Sequence, residues 1–231
     1  QYYPDNTDLP NNPPGHLDNL PPAARRLQKY TGTAGPYTDD ELRRARAAYY
    51  GMISFLDDKI GRLLDTLEET GQRENTVVIH TSDHGEMAGE HGLWRKMNFY
   101  EQAARIPLQI SWPGRLPEGK RVLEATSNVD FVATLLDIVG IDPAAWDMDG
   151  DSFLQYLQGT EDTLKDEVIC EYLGPGTDGP RIMVRQGEWK LSYTHRDPPE
   201  FELYNLKDDP GEFENLADRQ ETKDVQDRLF A

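Results

Sequence analysis

A carboxylate and an imidazole stand side by side at Asp83 and His84, and an ammonium follows at Lys96. A carboxylate oxygen and a ring nitrogen on one turn can face a single divalent cation, and Gly85 gives the backbone freedom to bend around it. The same pair also fits a plain turn whose aspartate caps the next segment and whose histidine is exposed. On two residues the readings balance. The stretch that follows, Gly89-Glu90-His91-Gly92-Leu93-Trp94-Arg95-Lys96, is punctuated by glycine, holds two rings and two cations, and can fold Lys96 back toward Asp83. An ammonium near a metal ion suits an anionic ester: the two positive charges bind nonbridging oxygens and offset charge growing on the leaving oxygen. His91 either lines that pocket against a substrate or makes an ordinary hydrogen bond.

These residues need a frame. Thr38 and Glu41 form a capping-box pattern, and Tyr49, Met52, Ile53, Leu56, Ile60, Leu63, Leu64 and Leu67 recur every three or four positions, which predicts a long amphipathic helix ending at Gly71. Residues 76–81, Thr-Val-Val-Ile-His-Thr, form a β-branched run without strict alternation, as expected of a strand buried on both faces. Asp83 and His84 follow its carboxyl end, where the loops of an open α/β sheet diverge and ligands gather. A second buried strand is expected at 107–112 and a helix at about 129–139, stopped by Gly140. From about 167 the pattern changes to short strands at 168–172, 181–185, 188–194 and 201–206, a small antiparallel sheet, and residues 221–231 read as a helix. The proline-rich residues 1–37 read as an extended surface segment. The expected organisation is this segment, an α/β domain over 38–160 with a mixed or parallel sheet flanked by helices, and an antiparallel β subdomain over 161–231.

Composition excludes other classes. With 42 acidic and 24 basic side chains in 231 residues the formal charge is −18, which repels phosphate backbones, so nucleic acid is not an expected partner. No run approaches the roughly 18 apolar residues of a membrane span. The single cysteine, Cys170, excludes an intrachain disulfide framework and leaves the compartment, periplasmic, secreted or cytoplasmic, open. On a predicted strand it reads as a small core hydrophobe. Asp147, Asp149 and Asp151 around Gly150 look like a calcium loop, but the template needs glycine and glutamate where Ser152 and Gln158 stand. A turn with Asp151 capping a short helix fits better. His80, inside the strand, reads as a core histidine, and Arg105 as an exposed strand-start arginine.

Taken as whole strings, these segments resemble the sulfatase family of the alkaline-phosphatase-like superfamily. Thr-Ser-Asp-His-Gly-Glu at 81–86, Gly-Glu-His-Gly-Leu-Trp-Arg-Lys at 89–96, and Tyr100-Glu101 leading to Arg105-Ile106-Pro107-Leu108 are similar to consecutive sulfatase blocks, in the family's order. Gly187-Glu188-Trp189-Lys190, Glu202-Leu203-Tyr204-Asn205-Leu206, Asp209-Pro210 and Glu214-Asn215-Leu216-Ala217 are similar to its C-terminal signature. Met97 to Glu101 are similar to the corresponding stretch of choline-sulfatase-like and other bacterial members. The resemblance implies that Asp83 and His84 ligate a divalent cation, usually Ca2+, that Lys96 contacts the sulfate group, and that the substrate is a small-molecule or carbohydrate sulfate ester.

The family's nucleophile is a formylglycine made within a Cys/Ser-x-Pro-x-Arg motif, and no such motif occurs here. Tyr2-Tyr3-Pro4-Asp5 resembles text lying mid-domain in the family, so residues 1–231 alone are expected to be inactive and to bind metal weakly, since two ligands do not satisfy a hard cation. Two rivals remain: a phosphonate or phosphate ester hydrolase of the same superfamily, with Mn2+ or Zn2+, and a noncatalytic metal-binding or interaction module.

Overall fold

The computed structural model describes residues 4–231; Tyr2 and Tyr3 of the opening string lie outside the described residues. The chain forms two compact units, one of residues 1–113 with 174–178, the other of 114–173 with 179–231.

In the first unit, residues 1–37 are not simply extended. They hold a ten-residue helix, α1 (Pro22–Thr31), that buries Ala23, Ala24 and Leu27. Its signals are present in the sequence. Pro22 sits in the first turn, where a missing N–H costs nothing, and Gly32 ends the helix at φ 68°, with Thr33 N–H returning to the Gln28 carbonyl at 3.1 Å. Reading the prolines only as breakers hides it. Helix α2 (Asp39–Glu69) begins as expected: Thr38 Oγ1 accepts from Glu41 N–H while Glu41 returns to Thr38 N–H at 2.8 Å. Its apolar stripe is only partly covered, since Met52, Ile53, Leu56 and Leu63 are half or more exposed.

Strand β1 (Val78–Thr81) pairs with β2 (Leu108–Ser111), Ile79 opposite Ile110 and Thr81 opposite Leu108, with the short helix α3 (Glu101–Ala104) between them in sequence. The ladder is antiparallel, and no parallel pairing occurs among the described residues. Neither strand is buried on both faces as the β-branched run predicts, because a two-stranded ladder leaves its faces half open.

The second unit is an antiparallel meander, β3 (Glu167–Tyr172), β4 (Arg181–Gln186), β5 (Trp189–Thr194) and β6 (Glu200–Asn205), the expected small sheet. Gln186 lies opposite Trp189, leaving a two-residue turn in which Gly187 takes φ 57°. Leu191 and Leu203 pack with Leu229 of α6 (Lys223–Phe230), ringed by Val184, Trp189, Phe201 and Val225. Lys190 and Glu212, 1% and 0% exposed, form an ion pair of 2.5 Å that ties β5 to the turn after β6.

Helices α4 (Asn128–Ile138) and α5 (Leu154–Gln158) belong to this compact unit with the sheet. Asp166, just before β3, joins them: its carboxylate accepts from Ala125 N–H at 2.7 Å and its carbonyl from Gly187 N–H at 3.1 Å, binding the approach to α4 to the sheet. Ser127 and Asp130 form a reciprocal cap on α4. Asp151 does not cap α5; its N–H donates to Asp130, and Ser152 Oγ accepts from Leu154 N–H at 3.2 Å.

The α/β class expected from sequence is what the chain adopts.

Candidate functional site

β1 ends at Thr81, and the turn after it is held by short local bonds. Ser82 Oγ donates to the His84 carbonyl at 2.9 Å, and His84 N–H to Asp83 Oδ1 at 3.0 Å. Gly85 N–H donates to the Ala103 carbonyl of α3 at 2.8 Å. The glycine is required by space: a Cβ there would stand 2.0 Å from the Gln102 carbonyl oxygen. Gly85→Ala is therefore expected to lower the free energy of unfolding by about 1–3 kcal/mol, read from the urea midpoint. An unchanged midpoint would mean that the α3 backbone gives way freely.

The turn brings three expected residues together. Asp83 Oδ2 lies 3.4 Å from His84 Nε2, and Lys96 Nζ lies 2.5 Å from the same nitrogen. His84 Nδ1 is 2.7 Å from the Gly85 carbonyl, which can only accept, so the proton is assigned to Nδ1 and the Nε2 lone pair faces Lys96. The Asp83 side chain is 84% exposed and that of His84 35%. Desolvation acts to raise the Asp83 pKa, but backbone N–H bonds and the Lys96 ammonium, joined by His84 when its ring is charged, outweigh it and hold the carboxyl below its ordinary value.

His91 is placed differently. Its ring is fully buried, stacked on Tyr100 with centroids 3.9 Å apart, and its Nδ1 lies 2.9 Å from His16 Nε2. This is the ordinary hydrogen-bonded role, inside the loop that carries Lys96. Arg105 is exposed just before β2, and His80 is half-buried within β1. Cys170 is half-buried on β3, and burial pushes its thiol up with Lys190 opposing.

The residues that hold the loop were not singled out from sequence. Asn11 N–H donates to Glu90 Oε2 at 2.8 Å, Asn12 Nδ2 to the Gly89 carbonyl at 3.0 Å and Gln28 Nε2 to the Gly92 carbonyl at 2.9 Å. From α2, the buried Arg46 donates to the Ala88 carbonyl at 2.9 Å, Glu90 at 3.1 Å and Asp8 at 2.6 Å. An arginine on an amphipathic helix and asparagines between prolines carry no sequence signal of such a task.

An α/β unit with an Asp-His pair at a strand end and a lysine folded onto it places the chain in the alkaline-phosphatase-like class. Within that class the chain belongs to the sulfatase family: residues 15–141 match the profile "Sulfatase", and 89–231 match "N-sulphoglucosamine sulphohydrolase, C-terminal". It is 42% identical over 184 residues to a choline-sulfatase of Rhizobium meliloti, covering 78% of this chain and 35% of that protein. It is 32% identical over 194 residues to arylsulfatase K of Bos taurus, covering 79% and 35%. Among solved structures, a phosphonate monoester hydrolase from Silicibacter pomeroyi is similar with TM-score 0.86 and 28% identity, over 100% of this chain and 50% of that one. A protein solved with its substrate D-glucosamine-2-N,6-O-disulfate is similar with TM-score 0.77 and 27% identity, over 93% and 47%. The chain thus spans about a third of these curated relatives and half of these solved neighbours.

Proposed function

We propose that the protein containing this chain hydrolyses a sulfate ester, with Asp83 and His84 as two ligands of a divalent cation and Lys96 on the sulfate group. The observation that carries this is the meeting of Asp83, His84 and Lys96 at 3.4 and 2.5 Å in a member of the sulfatase family. The donors suit a cation. A histidine ligand ordinarily donates its other ring N–H to a carbonyl or carboxylate, as Nδ1 does to Gly85, and the outward nitrogen already has a cation, the Lys96 ammonium, beside it. Two donors are a partial set, since calcium takes about six or more oxygens. Among the described residues no group of three or more His, Cys, Asp or Glu side chains could hold a metal, so further ligands come from elsewhere. Calcium is the ion we favour, and formylglycine the nucleophile, neither supplied by the residues described.

Bound there, the ion would supply positive charge to the ester's nonbridging oxygens. The chain's own part is then definite. Lys96 Nζ donates a charge-assisted hydrogen bond to an oxygen of the sulfate group, and its positive charge offsets the negative charge that grows on the leaving oxygen. The Gly85 carbonyl keeps the His84 tautomer, and the β1 turn keeps Asp83 and His84 on one side. Choline, aryl and sugar sulfates, all three kinds represented among the relatives and neighbours, are the substrate classes we propose to compare.

The test is a comparison of kcat/KM by the full-length protein on nitrophenyl sulfate, choline sulfate and a glucosamine sulfate against nitrophenyl phosphate and a phenylphosphonate ester. A sulfate is expected to be preferred. Faster turnover of the phosphonate would favour the hydrolase that the Silicibacter neighbour represents. No turnover of any ester, with no saturable calcium site by calorimetry, would leave a binding module.

A further inference from the structure

We propose that Glu86 is a positioning residue for Lys96, an inference that rests on the sulfatase reading of the site. Glu86 Oε1 accepts from Arg95 N–H at 2.6 Å and from Ala88 N–H at 3.2 Å. Those two residues share an uncommon conformation: Ala88 has φ 46° and Arg95 φ 71°, the left-handed region that side chains other than glycine rarely enter. One carboxylate oxygen therefore holds both left-handed non-glycine residues that flank the 89–94 segment. Met87 N–H to the Arg95 carbonyl at 3.0 Å and Gly89 N–H to the Leu93 carbonyl at 2.8 Å close the loop on itself. The Tyr49 hydroxyl on α2 feels the same carboxylate: burial first, and then the Glu86 charge, push its pKa up.

Arg95 immediately precedes Lys96, and Glu86 follows His84 by two residues. The carboxylate thus shortens the path between the two groups that meet at 2.5 Å, from twelve steps along the chain to three and one hydrogen bond. Without it, Arg95 keeps only the bond from Met87 N–H to its carbonyl, and a backbone relaxing from φ 71° would swing the lysine away from the nitrogen it faces. Glu86 need touch neither metal nor ester. It acts through the backbone of its neighbour, so an oxygen acceptor should serve nearly as well as a charge.

The test uses the full-length protein and the variants Glu86→Ala, Glu86→Gln, Lys96→Ala and the double variant Glu86→Ala/Lys96→Ala. Glu86→Ala is expected to lower kcat about 100-fold, the scale of an ångström's misplacement, with little change in KM. Glu86→Gln, which keeps the acceptor, should stay within about tenfold of the unsubstituted protein. In the Lys96→Ala background the Glu86 change should cost nothing further, because the group it positions is gone. Hydrogen exchange at the Arg95 amide should quicken in Glu86→Ala. Full activity in Glu86→Ala, or the same loss in the Lys96→Ala background, would overturn the proposal. So would an Arg95 amide whose exchange does not change. If Glu86→Ala does not fold, Glu86→Asp, with its carboxylate drawn back, is read by the same measurements. The exchange readout is independent of substrate, so a protein inactive on sulfates would remove the sulfatase reading while the amide still decides the clamp.

Discussion

Replacing Lys96 with alanine in the full-length protein is expected to lower kcat/KM for the sulfate ester by about 100- to 1,000-fold, the cost of removing one preorganised donor to developing charge. The lysine sits 2.5 Å from His84 Nε2 on a loop fastened by Asn11, Asn12, Gln28 and Arg46. Its position is therefore set before substrate arrives, and preorganisation is what makes a hydrogen-bond donor effective in the transition state. The loss should fall mainly on kcat, since a contact that strengthens as the leaving oxygen gains charge is stronger in the transition state than in the ground state. Lys96→Arg should recover little, because a planar fork does not replace a point charge at this distance. The measurement is steady-state kinetics beside a calcium titration. Lys96→Ala with near-normal turnover would remove the lysine from the site.

The largest effect on stability is expected at Lys190. With exposures of 1% and 0%, the Lys190–Glu212 pair has little solvent to screen it, and truncating one partner strands the other charge. Lys190→Ala should lower the free energy of unfolding by about 3–5 kcal/mol, seen as an early transition in urea. The paired change Lys190→Met/Glu212→Met should lose less than the sum of the two single changes, because it removes both charges together. Additive losses would show that the two side chains do not depend on each other.

Much of the frame was legible because its signals are local. The Thr38–Glu41 cap, the three-and-four spacing of α2 and the Gln186–Gly187 turn are each encoded within a few residues, and the elements appear within a residue or two of where they were expected. The Asp83–His84–Lys96 grouping was also legible, since two members are adjacent and the third lies on the loop they lead into. What the sequence hid is nonlocal. The stacking of His91 on Tyr100 and against His16, Arg46 reaching from α2 to the Ala88 carbonyl, and the antiparallel sense of the β1–β2 ladder all depend on which distant segment arrives alongside. The bond from Ala125 N–H to Asp166, which ties the approach to α4 to the sheet, is of the same kind.

The stretch before α2 grips the glycine-rich loop through backbone carbonyls: Asn12 holds that of Gly89 and Gln28 that of Gly92. These two grips do not depend on the side chains they pass, but other loop positions are fixed: Glu90 by Asn11 and Arg46, His91 and Leu93 by burial, and Gly89 and Gly92 because an added methyl group would meet Pro10 and Gln28. Trp94 and Met97 can accordingly be varied in a library while the peptide trace endures, whereas transplanting the loop into a foreign scaffold without its upstream brace should forfeit its shape.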